Sequence, residues 1–242
     1  MKRRVEMGKA GQFGPKVYAR WKATVLGEIT ETIERHLIRR LAGDVAGCNV
    51  LDIGCGDGAL TLELRRDGAS LAVGCDTDPR MIGNAIAAAT EQQAAPSYLL
   101  AAAEHLPFCS RSFDLVTAVT VLAFVAEPDA ALREIARVLK PGGRLVIGEL
   151  GKWSLWAASR RLRGLFGLAP IWSAARFRTP TQLRVLAEAA GLRLEEVVGA
   201  VYYPRSAVIA KCMARLDPIL ARLTTFGAAF LALSAEKPDR LS

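Results

Sequence analysis

The chain has 242 residues, 51% hydrophobic and 23% charged, with a net charge of +8. That composition belongs to a folded globular protein and excludes a disordered one. Five scattered cysteines (Cys48, Cys55, Cys75, Cys109, Cys212) and two histidines (His36, His105) form no CxxC pair and no metal-ligand spacing. No disulfide framework and no metal is therefore expected, and reduced thiols suggest a cytoplasmic protein. The basic start lacks the apolar run of a signal peptide, and no stretch of about 18 apolar residues offers a membrane span.

In chain order, residues 16–42 place Ile29, Ile33, Leu37 and Leu41 three to four apart, which predicts one helix. "CNVLDIG" (48–54) is a short apolar run ended by glycine, a buried strand, and "GALTLELRRDG" after it is helical. Strand 70–76, helix 79–93, strand "SYLLA", strand 113–122, helix 128–140 and strand 144–150 follow in alternation. Thr179 is a plausible N-cap for a helix over 179–191, followed by a strand near 193–200, a helix near 204–222 and a closing strand near 226–235. Alternating strands and helices predict an α/β fold around a mostly parallel sheet.

The charge is uneven. Residues 1–40 carry ten Lys/Arg and four acids, residues 41–150 carry eight and fourteen, and residues 151–178 carry six and none. An acidic centre is flanked by two basic segments, which bears on what approaches the protein and not on its fold.

"VLDIGCGDGAL" places Gly54, Gly56 and Gly58 in the turn between the first strand and its helix. Glycine there admits positive φ and close approach of a ligand to the backbone, beside the free N–H groups of a helix N-terminus. Asp76 ends the second strand, where a carboxylate can take both hydroxyls of a ribose. Gly54, Gly56 and Ala59 also satisfy G-x-G-x-x-A, so a nicotinamide dinucleotide stays open on the loop alone. Against it stands Asp52, unwelcome beside a pyrophosphate but suited to a ligand bearing an amine and a sulfonium.

Four stretches together, "VLDIGCGDG", Asp76, "AEHLPFCSRSFDLV" and "ALREIARVLKPGGRLVI", carry a resemblance over residues 48–150. The chain resembles the class I S-adenosylmethionine-dependent methyltransferases, in particular the small ubiquinone/menaquinone-methyltransferase-like branch. The resemblance implies a Rossmann-like, seven-stranded, mostly parallel sheet with helices on both faces and an antiparallel edge strand at the C-terminus, where "FGAAFLALSAEKP" fits. It implies one domain over 1–242, made of an N-terminal helical cover (1–47), a cofactor-binding core (48–150), a basic aromatic lid (151–178) and the C-terminal part of the sheet (179–242).

It also implies S-adenosyl-L-methionine as methyl donor, with S-adenosyl-L-homocysteine as product. Gly54, Cys55 and Gly56 would meet its methionine half beside Asp52 and Gly58, Asp76 would hold the ribose and Thr77 would lie along the adenosine. Ala103 and Glu104 would border the adenine, and Val119, Thr120 and Val121 would face the sulfonium. Many relatives carry an acid at the position of Ala102 for the adenine amino group; an alanine leaves that contact to backbone groups or Glu104.

In this family the N-terminal helix and the segment after the fifth strand cover the cofactor and shape the acceptor pocket, and here these are the two basic segments. Tyr18, Trp21, Trp153 and Trp156, with Trp172 further on, are the expected acceptor contacts. On a helical wheel Leu155, Leu162, Leu165 and Phe166 share one face, with Arg160, Arg161 and Arg163 over the rest. Such a mixture suits an interfacial helix on an anionic membrane, or a lid packed on its own domain. A nucleic-acid surface has less support, since no RNA-binding module or nucleic-acid-methylating motif is present. Glu149, at the end of the fifth strand, is the candidate base or substrate contact. The sequence thus points to transfer of a methyl group to a small, hydrophobic or lipid-like acceptor; a nicotinamide-dependent oxidoreductase and a non-catalytic cofactor-binding module are the alternatives.

Overall fold

The computed structural model describes residues 15–92, 96–166 and 175–239. Seven strands form one sheet: β1 (Asn49–Ile53), β2 (Leu71–Asp76), β3 (Ser97–Leu100), β4 (Phe113–Val119), β5 (Leu139–Leu150), β6 (Arg193–Ala200) and β7 (Phe230–Glu236). Their order is β3-β2-β1-β4-β5-β7-β6. Strands β1 to β5 pair in parallel, while β7 runs antiparallel to both β5 and β6. The antiparallel C-terminal strand expected from the sequence lies one place in from the edge, which β6 takes.

The winding reverses between β1 and β4. Successive strands run outward one way to β3 and the other way to β5, leaving a crevice at the carboxyl ends of β1 and β4 where ligands of such sheets bind.

Nine helices lie in the described residues: α1 (Pro15–Lys22), α2 (Val25–Ala42), α3 (Ala59–Arg66), α4 (Pro79–Glu91), α5 (Pro128–Val138), α6 (Leu155–Leu165), α7 (Pro180–Ala189), α8 (Ala207–Met213) and α9 (Asp217–Leu223). Two helices expected to be continuous are broken. Thr24 takes an extended conformation (φ −82°, ψ 147°) and its hydroxyl accepts the Gly27 N–H at 3.0 Å. A threonine that caps a helix start competes with helix continuation, so 16–42 divides into α1 and α2. In 204–222 the interruption precedes Asp217, whose carboxylate accepts the N–H groups of Val201 and Tyr202 at 3.0 Å each. Pro218 then opens α9 at a position that needs no N–H.

Because helices cover both sheet faces, strand residues are apolar without alternation. Leu51, Ile53 and Val116 pack in one cluster with Leu132 and Ile135 of α5 and Leu183 of α7. On the other face Val50, Leu115 and Val146 pack with Leu37, Ile38 and Leu41 of α2 and with Trp156 and Tyr203.

Candidate functional site

The turn leaving β1 runs through Gly54, Gly56 and Gly58 at φ +66°, +55° and +78°. A Cβ on Gly54 would fall 2.3 Å from Val121 Cγ2, so the loop touches the turn after β4 with no room for a side chain. Asp76 ends β2 beside this loop. Its Oδ2 accepts the Gly56 N–H at 3.0 Å and its Oδ1 accepts the Asp78 N–H at 2.9 Å. Two backbone donors thus orient the carboxylate. Across the crevice Thr120 holds a left-handed conformation, φ +59°, while its N–H donates to Gly148 O at 2.7 Å. A β-branched residue held there is strained, a condition that concentrates at ligand sites.

These groups enclose a cleft of about 320 Å³ lined by Ile53, Gly54, Asp76, Thr77, Ala101, Ala103, Glu104, Thr120, Val121, Phe124, Val125 and Ala126. Seven of the expected cofactor residues are in its wall: Gly54, Asp76, Thr77, Ala103, Glu104, Thr120 and Val121. Phe124, Val125 and Ala126 were not anticipated. They follow the strand expected over 113–122 in a stretch given no element, whereas β4 ends at Val119 and the turn begins earlier.

The other expected cofactor residues stand behind the wall. Asp52 is 2% exposed, and the hydroxyls of Thr61 and Thr117 donate to its two carboxylate oxygens at 2.8 Å each. It ties β1 to α3 and β4 under the loop and does not face the cleft. Burial pushes its pKa up to about 6 against the two threonine bonds. Cys55 is buried, and burial followed by the charges of Asp52 and Asp76 drives its thiol well above the ordinary range. Its backbone N–H donates to Cys75 O at 3.0 Å, so it serves the loop through its main chain. Gly56 braces Asp76, Gly58 starts α3 against Tyr98, and Val119 packs into the core beneath α2.

Glu149 does not reach the cleft. It is 0% exposed; its Oε1 accepts the Ala123 N–H at 3.1 Å and its Oε2 lies 3.8 Å from Arg178 Nη1. Arg178 Nη1 also donates to Leu122 O at 3.0 Å, and its backbone bridges Gly151. A base must reach the proton that it takes. Glu149 and Arg178 instead clamp the turn 121–126 from behind, and burial raises the Glu149 pKa to about 7 despite the arginine.

The expected cover divides. Lys22 Nζ pairs with Asp57 of the glycine loop at 3.0 Å and with Glu31 at 2.9 Å, which holds the end of α1 over the loop. Trp21, half-buried, is next to this clamp. The Tyr18 side chain and all of Trp172 lie outside the described residues. Trp153 is 55% exposed with Lys152 Nζ 5.2 Å from its ring centroid.

Trp156, expected on the contact surface, is 2% exposed and donates Nε1–H to Tyr203 O at 2.7 Å. It anchors α6 to the domain, while the leucine face of the same helix points outward, with Leu155 65% exposed. The apolar stripe did not decide which face is buried, because the large indole found both a packing site and a hydrogen-bond acceptor.

A glycine loop, an acid ending β2 and a cleft at the switch point are the arrangement in which Rossmann-like sheets take nucleotide ligands. Residues 51–147 match the family model described as "Methyltransferase domain". The ubiquinone biosynthesis O-methyltransferase of Coxiella burnetii is 32% identical over 163 residues, 65% of this chain and 69% of that protein. The enzyme of the same name from Parvibaculum lavamentivorans is 32% identical over 204 residues, 81% of this chain and 78% of that protein. Among solved structures, a methyltransferase of Thermotoga maritima described as a possible histamine N-methyltransferase superposes with a TM-score of 0.68 at 23% identity, over 92% of this chain and 95% of that one. The chain belongs to the class I S-adenosylmethionine-dependent methyltransferases.

Proposed function

We propose that this enzyme transfers the methyl group of S-adenosyl-L-methionine to a small hydrophobic, lipid-like acceptor. The apolar wall formed by Val121, Phe124 and Val125 carries this reading, and the ubiquinone-biosynthesis relatives support it. In this reading Asp76 takes the ribose hydroxyls, Thr77 runs along the nucleoside, and Ala103 and Glu104 border the base. Gly54 and Thr120 flank the methionine half from opposite strands. Trp21 and Trp153 belong to the acceptor side of the cover.

The bound cofactor supplies a methyl group already activated on a sulfonium. The protein's share is orientation: an in-line approach of about 3–3.5 Å and exclusion of water account for much of the rate. Asp76 and Glu104 are the ionisable residues of the cleft wall, and both serve the nucleoside end. Glu149 acts by holding the turn 121–126 in place.

Calorimetric titration with S-adenosylmethionine, S-adenosylhomocysteine and NAD tests the cofactor, and radiolabelled methyl transfer to quinone-like phenols and lipid extracts tests the acceptor. Binding of the first two with label partitioning into an apolar product is expected. Binding of NAD alone would return the oxidoreductase reading, and binding without transfer would favour a non-catalytic module.

A further inference from the structure

The register of the sheet brings two distant segments to the cleft's own edge. Phe230 pairs with Leu150 and with Ala200, so β7 begins, and β6 ends, at the carboxyl end of β5. Arg205 and α8 leave that edge, and α9 and Phe226 return to it. The segment joins α6 there: Trp156 Nε1 donates to Tyr203 O, and the Arg205 guanidinium lies 5.5 Å from the Trp156 ring.

Along this rim Trp153, Leu155, Leu162, Val208, Leu223 and Phe226 are each more than half exposed. Soluble proteins rarely leave so many large apolar side chains open in one region without a use. Residues 152–166 hold four Lys/Arg and no acid, and residues 204–226 hold four Lys/Arg and one acid, Asp217. Asp217 is 3% exposed and already accepts two backbone N–H groups. The rim therefore presents apolar tips among positive charges with no exposed carboxylate.

We infer that α6 and the α8–α9 segment together form a docking rim for an anionic lipid bilayer, oriented so that the cofactor cleft opens toward the membrane. The inference deepens the lipid-like acceptor reading and rests on it. Apolar side chains insert at the headgroup boundary while lysines and arginines meet anionic lipid, and the two contributions add. An acceptor could then pass from the bilayer into the cleft without crossing water.

The test floats the full-length protein with vesicles of pure phosphatidylcholine and with vesicles of equal parts phosphatidylglycerol and phosphatidylcholine. Wild type is expected to float with the anionic vesicles only, less so as salt rises. Replacing Arg215 and Arg222 by alanine is expected to weaken partition about fivefold per arginine. Leu223→Glu with Phe226→Glu, both fully surface changes, should abolish flotation. All variants should keep wild-type affinity for S-adenosylmethionine. Failure to float with cofactor binding intact overturns the docking rim and leaves the methyltransferase reading standing; loss of cofactor binding in wild type overturns the latter. A wild type that stays off vesicles and runs as a dimer dispersed by Phe226→Glu would assign the rim to a second copy and overturn the inference.

Discussion

Gly56 donates its backbone N–H to Asp76 Oδ2 at 3.0 Å, so the acid ending β2 braces the glycine loop that ends β1. One residue thereby shapes the loop and presents a carboxylate in the cleft wall. Asp76→Ala is expected to weaken S-adenosylmethionine binding about 100-fold, as befits loss of charge-assisted bonds to two hydroxyls. Calorimetry reads this directly; an unchanged affinity would refute the assignment of the cleft.

Gly54→Ala places a methyl group 2.3 Å from Val121 Cγ2 on a residue at φ +66°. Clash and strain together should cost about 2 kcal/mol, a fall in Tm of about 4–8 °C for a chain of this size. Cofactor binding should fall more steeply than stability, because the loop and the turn after β4 both line the cleft. Thermal melts with and without S-adenosylhomocysteine separate the two effects.

In the proposed reading Glu149 is a positioning residue, and its variants distinguish that role from a base. Glu149→Gln keeps an oxygen for the Ala123 N–H and should retain kcat within about threefold, whereas removal of a general base costs about 10²–10⁴-fold. Glu149→Ala leaves the Ala123 N–H without its acceptor and Arg178 without its carboxylate, with only Leu122 O remaining to it among the described residues; it should raise KM for the cofactor about tenfold with a smaller change in kcat. A large kcat loss in the glutamine variant would restore the catalytic role.

Burial raises four carboxyl groups: Asp52 from 3.8 to about 6, Glu149 from 4.5 to about 7, Glu34 from 4.5 to about 8 with Arg160 opposing, and Asp217 above its ordinary value against two backbone hydrogen bonds. The folded state then holds protons that the unfolded chain has already released. Stability from these groups is complete at acid pH and is lost as pH rises through the folded values, a window of about pH 4–8. Melting temperature should decline between pH 5 and pH 8, and Glu149→Gln should flatten the curve near pH 7. A profile rising across that interval would contradict the burial of these groups.

Trp156→Ala should destabilise the fold by about 3–5 kcal/mol, since it empties a site where the indole is 2% exposed. Trp156→Phe should cost about 1–3 kcal/mol, mainly by leaving Tyr203 O without its donor. Denaturant titration measures both. If Trp156 were a surface contact, each change would lie within about 0.5 kcal/mol.

The α/β class, five parallel strands and most of the residues that line the cleft were legible in local pattern. Apolar runs ended by Gly54 and Asp76, and a helix closed by Gly68, are short-range signals that the fold retains, whereas "PGG" falls inside β5 after α5 has ended at Val138. The breaks at Thr24 and before Asp217 were less legible. In each, a side chain's bond to the backbone overrode an otherwise helical pattern, and for Asp217 the partners Val201 and Tyr202 are 15 or 16 residues away.

By itself the sequence determined which residues could sit in tight turns and which carry charge: the glycines at positive φ, Asp76 at a strand end, and the two basic segments. Only tertiary structure decided which way those side chains face. Asp52 turned inward because two threonines from separate elements could satisfy its carboxylate. Glu149 sank behind the cleft because Ala123 N–H and Arg178 were there to meet it. Trp156 took the buried face of α6 from the leucine stripe because Tyr203 O offered its indole an acceptor. Burial of a polar atom depends on partners distant in sequence, and those partners exist only once the sheet has formed.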